Sequence, residues 1–500
     1  MSPDQPSWRR IASGILLFGG AGYFVVSLVL FLCWAPLEIS VAGIQISIVS
    51  LLAPIKLSLA LVLAGIFLRH YGALWMGPVL VCCGLGAAFF LLPHELGGDG
   101  EIRFLGLARL LEHGYLPDMS YSLVGPLFST PLYWLGKGIL TPEWWCSRYN
   151  VLLLALGFFL SFRLLRARWE PSRLASFFLI LLAGSMLPYH LRFYFGEVFT
   201  AVWVAVGTLA LGTGRPLLGW TAVVAGVVNT PAALPALGLL CFLRCFSNKN
   251  LKSLLPLGVA VFLILLENLL RQGGLFVTGY AGNTGFSTLL PYSGRAGFSY
   301  PLILGIFSIL FSSGKGLLWF APGMFLSLKK WADRVPDPLL QIHRQWLLFV
   351  LGLILIYAQW WSWYGGFFWG PRFFLFTSFP AALVLAARLD GRGQSSLTDL
   401  ITVLVLSWSC WVGLNGAVYG LHGLDLCREN EYALEYLCWY VPEFSVLWRP
   451  LLVPLSLSWQ QEVLVAYTLL VWFYLSRPLW SGLIKKGLDS LGRLWREISG

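Results

Sequence analysis

Apolar runs of roughly twenty residues recur along this chain, separated by short polar stretches: 11–33, 49–68, 72–92, 145–165, 173–188, 196–212, 251–270, 315–328, 345–359, 373–388, 398–420 and 457–476. Coiled as an α-helix, a run of that length matches the hydrocarbon thickness of a bilayer. Unsatisfied backbone groups are too costly in hydrocarbon for any spanning element other than a helix or a closed barrel, and the alternating pattern of a barrel is absent. A further stretch, 216–246, has basic residues at both ends and is interrupted at Asn229-Thr230-Pro231 and Pro235. Proline removes a helical donor and clashes with the preceding turn, so this stretch predicts a tight helical hairpin. The pattern predicts an all-α polytopic membrane protein with about 12–14 transmembrane helices.

Basic residues in short loops resist translocation and so orient the spans. The clusters at 69–70, 163–173, 244–252, 329–344, 388–392 and 485–496 fall on one side if the spans alternate, which places both termini in the cytoplasm. The first run follows Trp8, Arg9 and Arg10 and leads into Trp34-Ala35-Pro36. With no small-residue cleavage site there, it reads as a retained span with its basic flank cytoplasmic. The outside segments are then 93–144, 188–195, 271–314, 359–372 and 421–456.

Composition agrees: 58% of residues are hydrophobic and 11% charged, far from the roughly 25% charged content of a soluble domain. The net charge of +11 is spread over cytoplasmic loops and does not gather on one module, so orientation and anionic lipid explain it better than nucleic acid. No soluble catalytic domain, glycine-rich nucleotide loop, metal-ligand spacing or internal repeat appears; no cofactor is expected, and a divalent metal at the site stays an open alternative that the sequence does not indicate. Of nine cysteines, only Cys427 and Cys438 share an outside loop; a disulfide between them and two free thiols are both open readings.

Candidate chemistry begins at 93–114, PHELGGDGEIRFLGLARLLEHG. From Glu101 onward, Ile102, Leu105, Ala108 and Leu111 recur at helical spacing, predicting a helix in the plane of the interface. Asp99, at its start, has two readings: a helix N-cap, or a general base poised beside the bilayer. Glu101 is a candidate second acid, although the helix dipole alone favours an acid in a first turn. Three cations fall where orientation rules would not put them, each beside glycine: Arg295 in LPYSGRAGFSYP, Lys315 in FSSGKGLLWFAPG and Arg372 in WWSWYGGFFWGPRFF. Cations with glycine-freed amides nearby suit a lipid phosphate; snorkelling to headgroups is the alternative. Glu197, opening a span, reads as a dipole partner or as another active-site acid. Trp363 and Tyr364, next to Gly365-Gly366, are candidates to stack on a sugar, whereas an interfacial belt accounts for Trp360, Trp361 and Trp369. His190 is a candidate contact for sugar or acceptor.

At these residues the chain resembles the GT-C superfamily of polyprenyl-phosphate-sugar-dependent glycosyltransferases. The segment GGDGEIRFLGLARLLEHG is similar to their first outside loop. Residues 279–323 and 360–383 resemble later segments of family-39-like members, related to protein O-mannosyltransferases and aminoarabinose transferases, and 223–244 resembles their short helical hairpin. Many relatives carry adjacent acids where this chain has Asp99-Gly100-Glu101. The resemblance implies N-terminal spans at 1–92, a catalytic membrane core at 93–388, and C-terminal spans at 389–500 with the outside loop 421–456 and a basic tail. It implies an inverting enzyme of the cytoplasmic (inner) membrane that moves a sugar from a polyprenyl phosphate to a glycan, lipid or protein acceptor on the outer face. Asp99 would serve as base, and Lys315, Arg372 and Arg295 would hold the donor phosphate. The competing reading is a transporter or lipid flippase, which needs many spans and broken helices and would carry ionisable groups near the bilayer midplane.

Overall fold

The long apolar runs coil into helices, the one local structure that satisfies their backbone without water. The computed structural model describes residues 7–34, 37–41, 44–48, 52–70, 73–116, 118–280, 282–328, 336–389 and 395–499. Among the described residues six helices are long and apolar enough to cross a membrane, and six more apolar helices run to 10–17 residues. The protein is an all-α polytopic membrane protein, with one small hairpin among the described residues. Of the basic residues that orient the spans, Lys329, Lys330, Arg334 and Arg392 lie outside the described residues.

The chain divides into two units, residues 1–79 and 80–500. In the first, α1 (Ser7–Trp34) packs along α2 (Leu52–His70). Gly65 allows the close approach, since a Cβ there would sit 2.7 Å from Leu17 Cγ, and Ser13 Oγ donates to the Gly65 carbonyl at 3.0 Å. Small residues at such contacts are how apolar helices associate in lipid. Between them β1 (Leu37–Val41) pairs antiparallel with β2 (Ile44–Ile48), Leu37 opposite Ile48 and Val41 opposite Ile44.

After α3 (Met76–Leu91) come α4 (Asp99–His113), α5 (Tyr149–Leu165) and α6 (Pro171–Ala183). Next, α7 (Gly196–Gly212) packs against α5, against α8 (Pro216–Asn229) and against α12 (Asp337–Tyr357). It is buried on nearly every side, as its all-round apolar sequence requires. The expected hairpin is α8 and α9 (Leu234–Asn248), separated by a 3₁₀ turn at Pro231–Ala233. Asn229 ties the break to its neighbours: its side chain accepts from Gly125 N at 3.0 Å and donates to the Gly196 carbonyl at 2.9 Å. The next helix is α10 (Leu255–Gln272).

The expected span 315–328 is not one helix. It divides into short turns at Leu317–Phe320 and Pro322–Phe325 and follows a separate helix, α11 (Leu302–Phe311), in a segment expected to be a loop. Pro322 cannot donate to a helical ladder, and the Ser-Ser-Gly-Lys-Gly run at 312–316 is poor in helix formers. Lys315 sits in the resulting gap. The expected 373–388 span begins with a 3₁₀ turn at Arg372–Thr377, and only Ser378–Arg388 (α13) is α-helical. At the C-terminus α14 (Ser396–Val418) packs against α15 (Trp459–Ser499) within the second unit.

The loop between α14 and α15 is closed by the Cys427–Cys438 disulfide and lies on the 312–316 gap. Gly314 N donates to the Trp439 carbonyl at 3.0 Å, and Ser445 Oγ donates to the Ser313 carbonyl at 2.7 Å. A Cβ at Gly314 would stand 1.8 Å from the Cys438 carbonyl oxygen. Backbone cannot yield as a flexible side chain can, so Gly314→Ala is expected to destabilise the fold by about 1–3 kcal/mol. The check is a lowered thermal midpoint of the detergent-solubilised protein.

Candidate active site

A cavity of about 670 Å³ opens between the start of α4, the start of α7, the α8–α9 break, α10 and residues 357–376. One part of its wall is polar, with Asp99, Arg103, Tyr121, Glu197, Arg271 and Arg372; the other is apolar, with Ile264, Phe349, Leu353, Ile356, Leu375 and Phe376. Such a wall, part charged and part apolar, matches an amphiphile with a charged head and a greasy chain.

Asp99 is the first residue of α4, and the N-cap is Gly98, at φ 62° and ψ −131°, a region glycine enters without a Cβ clash. Its side chain does not cap the helix. Instead Tyr121 donates its hydroxyl to Asp99 Oδ1 at 2.7 Å, and Arg372 Nη1 donates to Oδ2 at 2.8 Å. The Asp99 side chain keeps 23% of its surface exposed, leaving it open to the cavity. Burial, and then the Asp99 charge, lift the Tyr121 hydroxyl far above its usual pKa, so it stays protonated and keeps the proton that it donates to Asp99. The helix buries Gly100, Arg103, Phe104 and Leu107, while Ile102 and Leu105 stay about 45% exposed. An outward apolar stripe of this kind is what an interfacial helix presents to lipid.

The Arg372 guanidinium lies between two carboxylates, 2.8 Å from Asp99 and 3.8 Å from Glu197 Oε1. Burial opposes its charge, but Asp99 and then Glu197 outweigh that, and its pKa stands above the ordinary arginine value. The rings of Phe195, Phe368 and Phe373 surround it at 5.7, 5.4 and 5.2 Å, close enough for cation–π attraction. Gly365, at φ 79°, makes room, since a Cβ there would lie 2.8 Å from Arg372 Cγ. Arginine has five N–H donors, and among the described residues it spends one on Asp99; Nε is buried without a hydrogen bond.

Two further arginines line the same cavity and hold the segment that carries Tyr121. Arg103 Nη1 donates to the Ser122 carbonyl at 2.8 Å and its guanidinium lies 5.1 Å from the Tyr121 ring centre. Arg271 donates to the Met119 carbonyl, and Glu267, one turn earlier on α10, accepts from Leu123 N at 2.8 Å. Arg103 was legible as the residue one helical turn after Asp99 on the same face; Tyr121 and Arg271 carried no sequence signal.

The structure therefore brings Asp99, Glu197 and Arg372 together and leaves the other candidates elsewhere. Glu101 is exposed on the opposite face of α4. Arg295 is exposed on its loop, where Nη2 donates to the Pro291 carbonyl at 3.5 Å. Lys315 is 4% exposed and does not line the cavity; its ammonium donates to the carbonyls of Gly366, Phe368 and Gly370 at 3.2, 2.5 and 3.2 Å. Burial drives the Lys315 ammonium toward its neutral form and the nearby Glu435 carboxylate toward its acid, and each charge partly offsets the other's shift. Trp363 and Tyr364 are buried and pack on Trp439; the aromatics that line the cavity are Trp360 and Trp361. His190 is fully buried among Tyr189, Phe368 and Trp369. Burial, then Arg372 and Lys315, push its pKa down to about 3, which keeps it neutral. No family model matches this sequence, and neither a curated protein nor a solved structure does.

Proposed function

We propose that the protein is a membrane glycosyltransferase that moves a sugar from a polyprenyl phosphate to an acceptor hydroxyl. The observation that carries this reading is the contact of the Asp99 carboxylate with the Arg372 guanidinium in a cavity whose wall is charged and polar on one part and apolar on the other. A carboxylate open to the cavity suits a base that takes a proton from an acceptor. A boxed guanidinium with spare donors suits the phosphate that departs, because arginine matches its oxygens in a planar fork. Arg103 and Arg271 replace Lys315 and Arg295 as the further cations on the cavity wall.

The reaction is a single displacement. The acceptor oxygen forms a bond to the anomeric carbon as its proton passes to Asp99, and the bond from that carbon to the phosphate oxygen breaks. The electron pair leaves with the polyprenyl phosphate, whose new charge Arg372 stabilises, and configuration at the anomeric carbon inverts. Trp360 and Trp361 offer the sugar an aromatic face. The Cys427–Cys438 bridge supports placing this chemistry on the outer side, since disulfides persist in oxidising compartments, and its loop packs on the 312–316 and 360–370 segments beside the cavity.

The test supplies radiolabelled polyprenyl-phosphate sugars to the purified protein in lipid nanodiscs and follows the label into lipid, glycan and protein fractions. Transfer that depends on the protein supports the reading. Label that crosses the membrane of sealed vesicles while still on its lipid supports a flippase instead.

A further inference from the structure

Lys315 bonds three alternate carbonyls, those of Gly366, Phe368 and Gly370, and so folds the turn that ends two residues before Arg372. Arg372 N in turn donates to the Gly370 carbonyl at 3.2 Å. An ammonium has three donors and no acceptor, so these contacts use its full capacity and leave none for a ligand. What holds Lys315 is the disulfide-closed loop. Trp439 accepts from Gly314 N through its carbonyl and stacks its ring on Tyr364, with centroids 3.8 Å apart. One residue of the loop thus touches both the segment carrying Lys315 and the segment carrying Arg372. Glu435, 3% exposed, has Oε1 without a hydrogen bond and its main electrostatic partner in Lys315. It lies inside the ring of chain closed by Cys427 and Cys438.

A buried cation without a counter-charge is strongly unfavourable, and removing one partner of such a pair leaves the other stranded. The three carbonyls hold the Lys315 side chain in this protein-enclosed pocket, where the Glu435 charge offsets part of the cost of burying it, and the cage sets the turn that aims Arg372.

We propose that Lys315 and Glu435 are positioning residues for the Arg372 guanidinium, clamped by the Cys427–Cys438 disulfide, so that opening this bond impairs the active site without altering any residue that lines it. The proposal rests on the glycosyl-transfer reading for its kinetic consequence alone; the clamp itself is a statement about structure. Reduction with a water-soluble phosphine adds two electrons and two protons to the bridge, giving two thiols, while the phosphine becomes its oxide with an oxygen from water.

The experiment uses the full chain in nanodiscs and compares parental protein, the isosteric Glu435→Gln, Lys315→Met, and parental protein after phosphine reduction, which needs no substitution. Hydrogen exchange is followed in peptides covering residues 360–374. The expected result is that amides of this segment exchange at least about tenfold faster in all three altered forms, as local opening requires, while α7 peptides are unchanged. Sugar transfer should fall about 10- to 100-fold in kcat, with the donor KM within about threefold, as expected when a transition-state group is misaimed by about an ångström. Unchanged exchange over 360–374 in Glu435→Gln and in reduced protein overturns the clamp, whether or not sugar is transferred. Faster exchange with unchanged kcat overturns the positioning role. Faster exchange in a parental protein that transfers no sugar leaves the clamp standing and removes the glycosyl-transfer reading.

Discussion

Asp99→Asn is expected to slow sugar transfer by about 10²- to 10⁴-fold, the range lost when a positioned base is removed, with insertion and folding intact. Asparagine keeps the shape of the side chain, but its single carbonyl oxygen can replace only one of the two carboxylate oxygens that accept from Tyr121 and from Arg372 at 2.7 and 2.8 Å. For the reaction, what it loses is basicity. The substitution does not disturb the helix, because Gly98 and not residue 99 caps α4. The measurement is kcat with radiolabelled donor, beside a thermal midpoint that should move little.

Arg372→Lys is the second large effect, about 10²- to 10³-fold in kcat, comparable to removing one donor that stabilises charge in the transition state. Lysine retains a positive charge, so a merely electrostatic role predicts a small loss. The site asks for more: one guanidinium spans two carboxylates, at 2.8 Å from Asp99 and 3.8 Å from Glu197, and retains donors for a phosphate. A compact ammonium on a flexible stem cannot supply that planar fork. Arg372→Ala should be worse still, leaving Asp99 and Glu197 without the cation between them.

Much of the fold was legible because a bilayer admits so few solutions: apolar runs had to be helices, and Pro231 and Pro235 had to break the α8–α9 hairpin. The span expected at 315–328 failed for a related reason. Its mean apolarity is high, but Pro322 and the polar, glycine-flanked Lys315 prevent a continuous helix, and hydropathy averaged over a window hides both. The β1–β2 hairpin carries a clear period of two from Leu37 to Ile48, short enough to be lost between two longer apolar runs.

The site was legible where a charge stood at an unusual place in the chain. Asp99, Glu197 and Arg372 each did, and they converge. Lys315 and Arg295 shared the same local pattern, a cation beside glycine, and sequence could not say where a long side chain would turn. Lys315 turns inward to three carbonyls contributed by residues 51–55 positions later, a contact that exists only once the loop has closed over it. The aromatic run 360–364 lies in an irregular loop with no period to tell facing from buried positions, so the cavity received Trp360 and Trp361 while Trp363 and Tyr364 went into packing against Trp439. Tyr121, in a segment without helical or strand pattern, offered nothing to read until Arg103 and Glu267 were seen to hold it.

The central claim is that Asp99 and Arg372 work as one unit on opposite ends of a single displacement, and a double-mutant cycle on kcat tests it most directly. Groups that act together are strongly non-additive, so the Asp99→Asn, Arg372→Lys double variant should transfer sugar about as slowly as the slower single variant. Penalties that multiply in the double variant would show two independent sites of action and contradict the account.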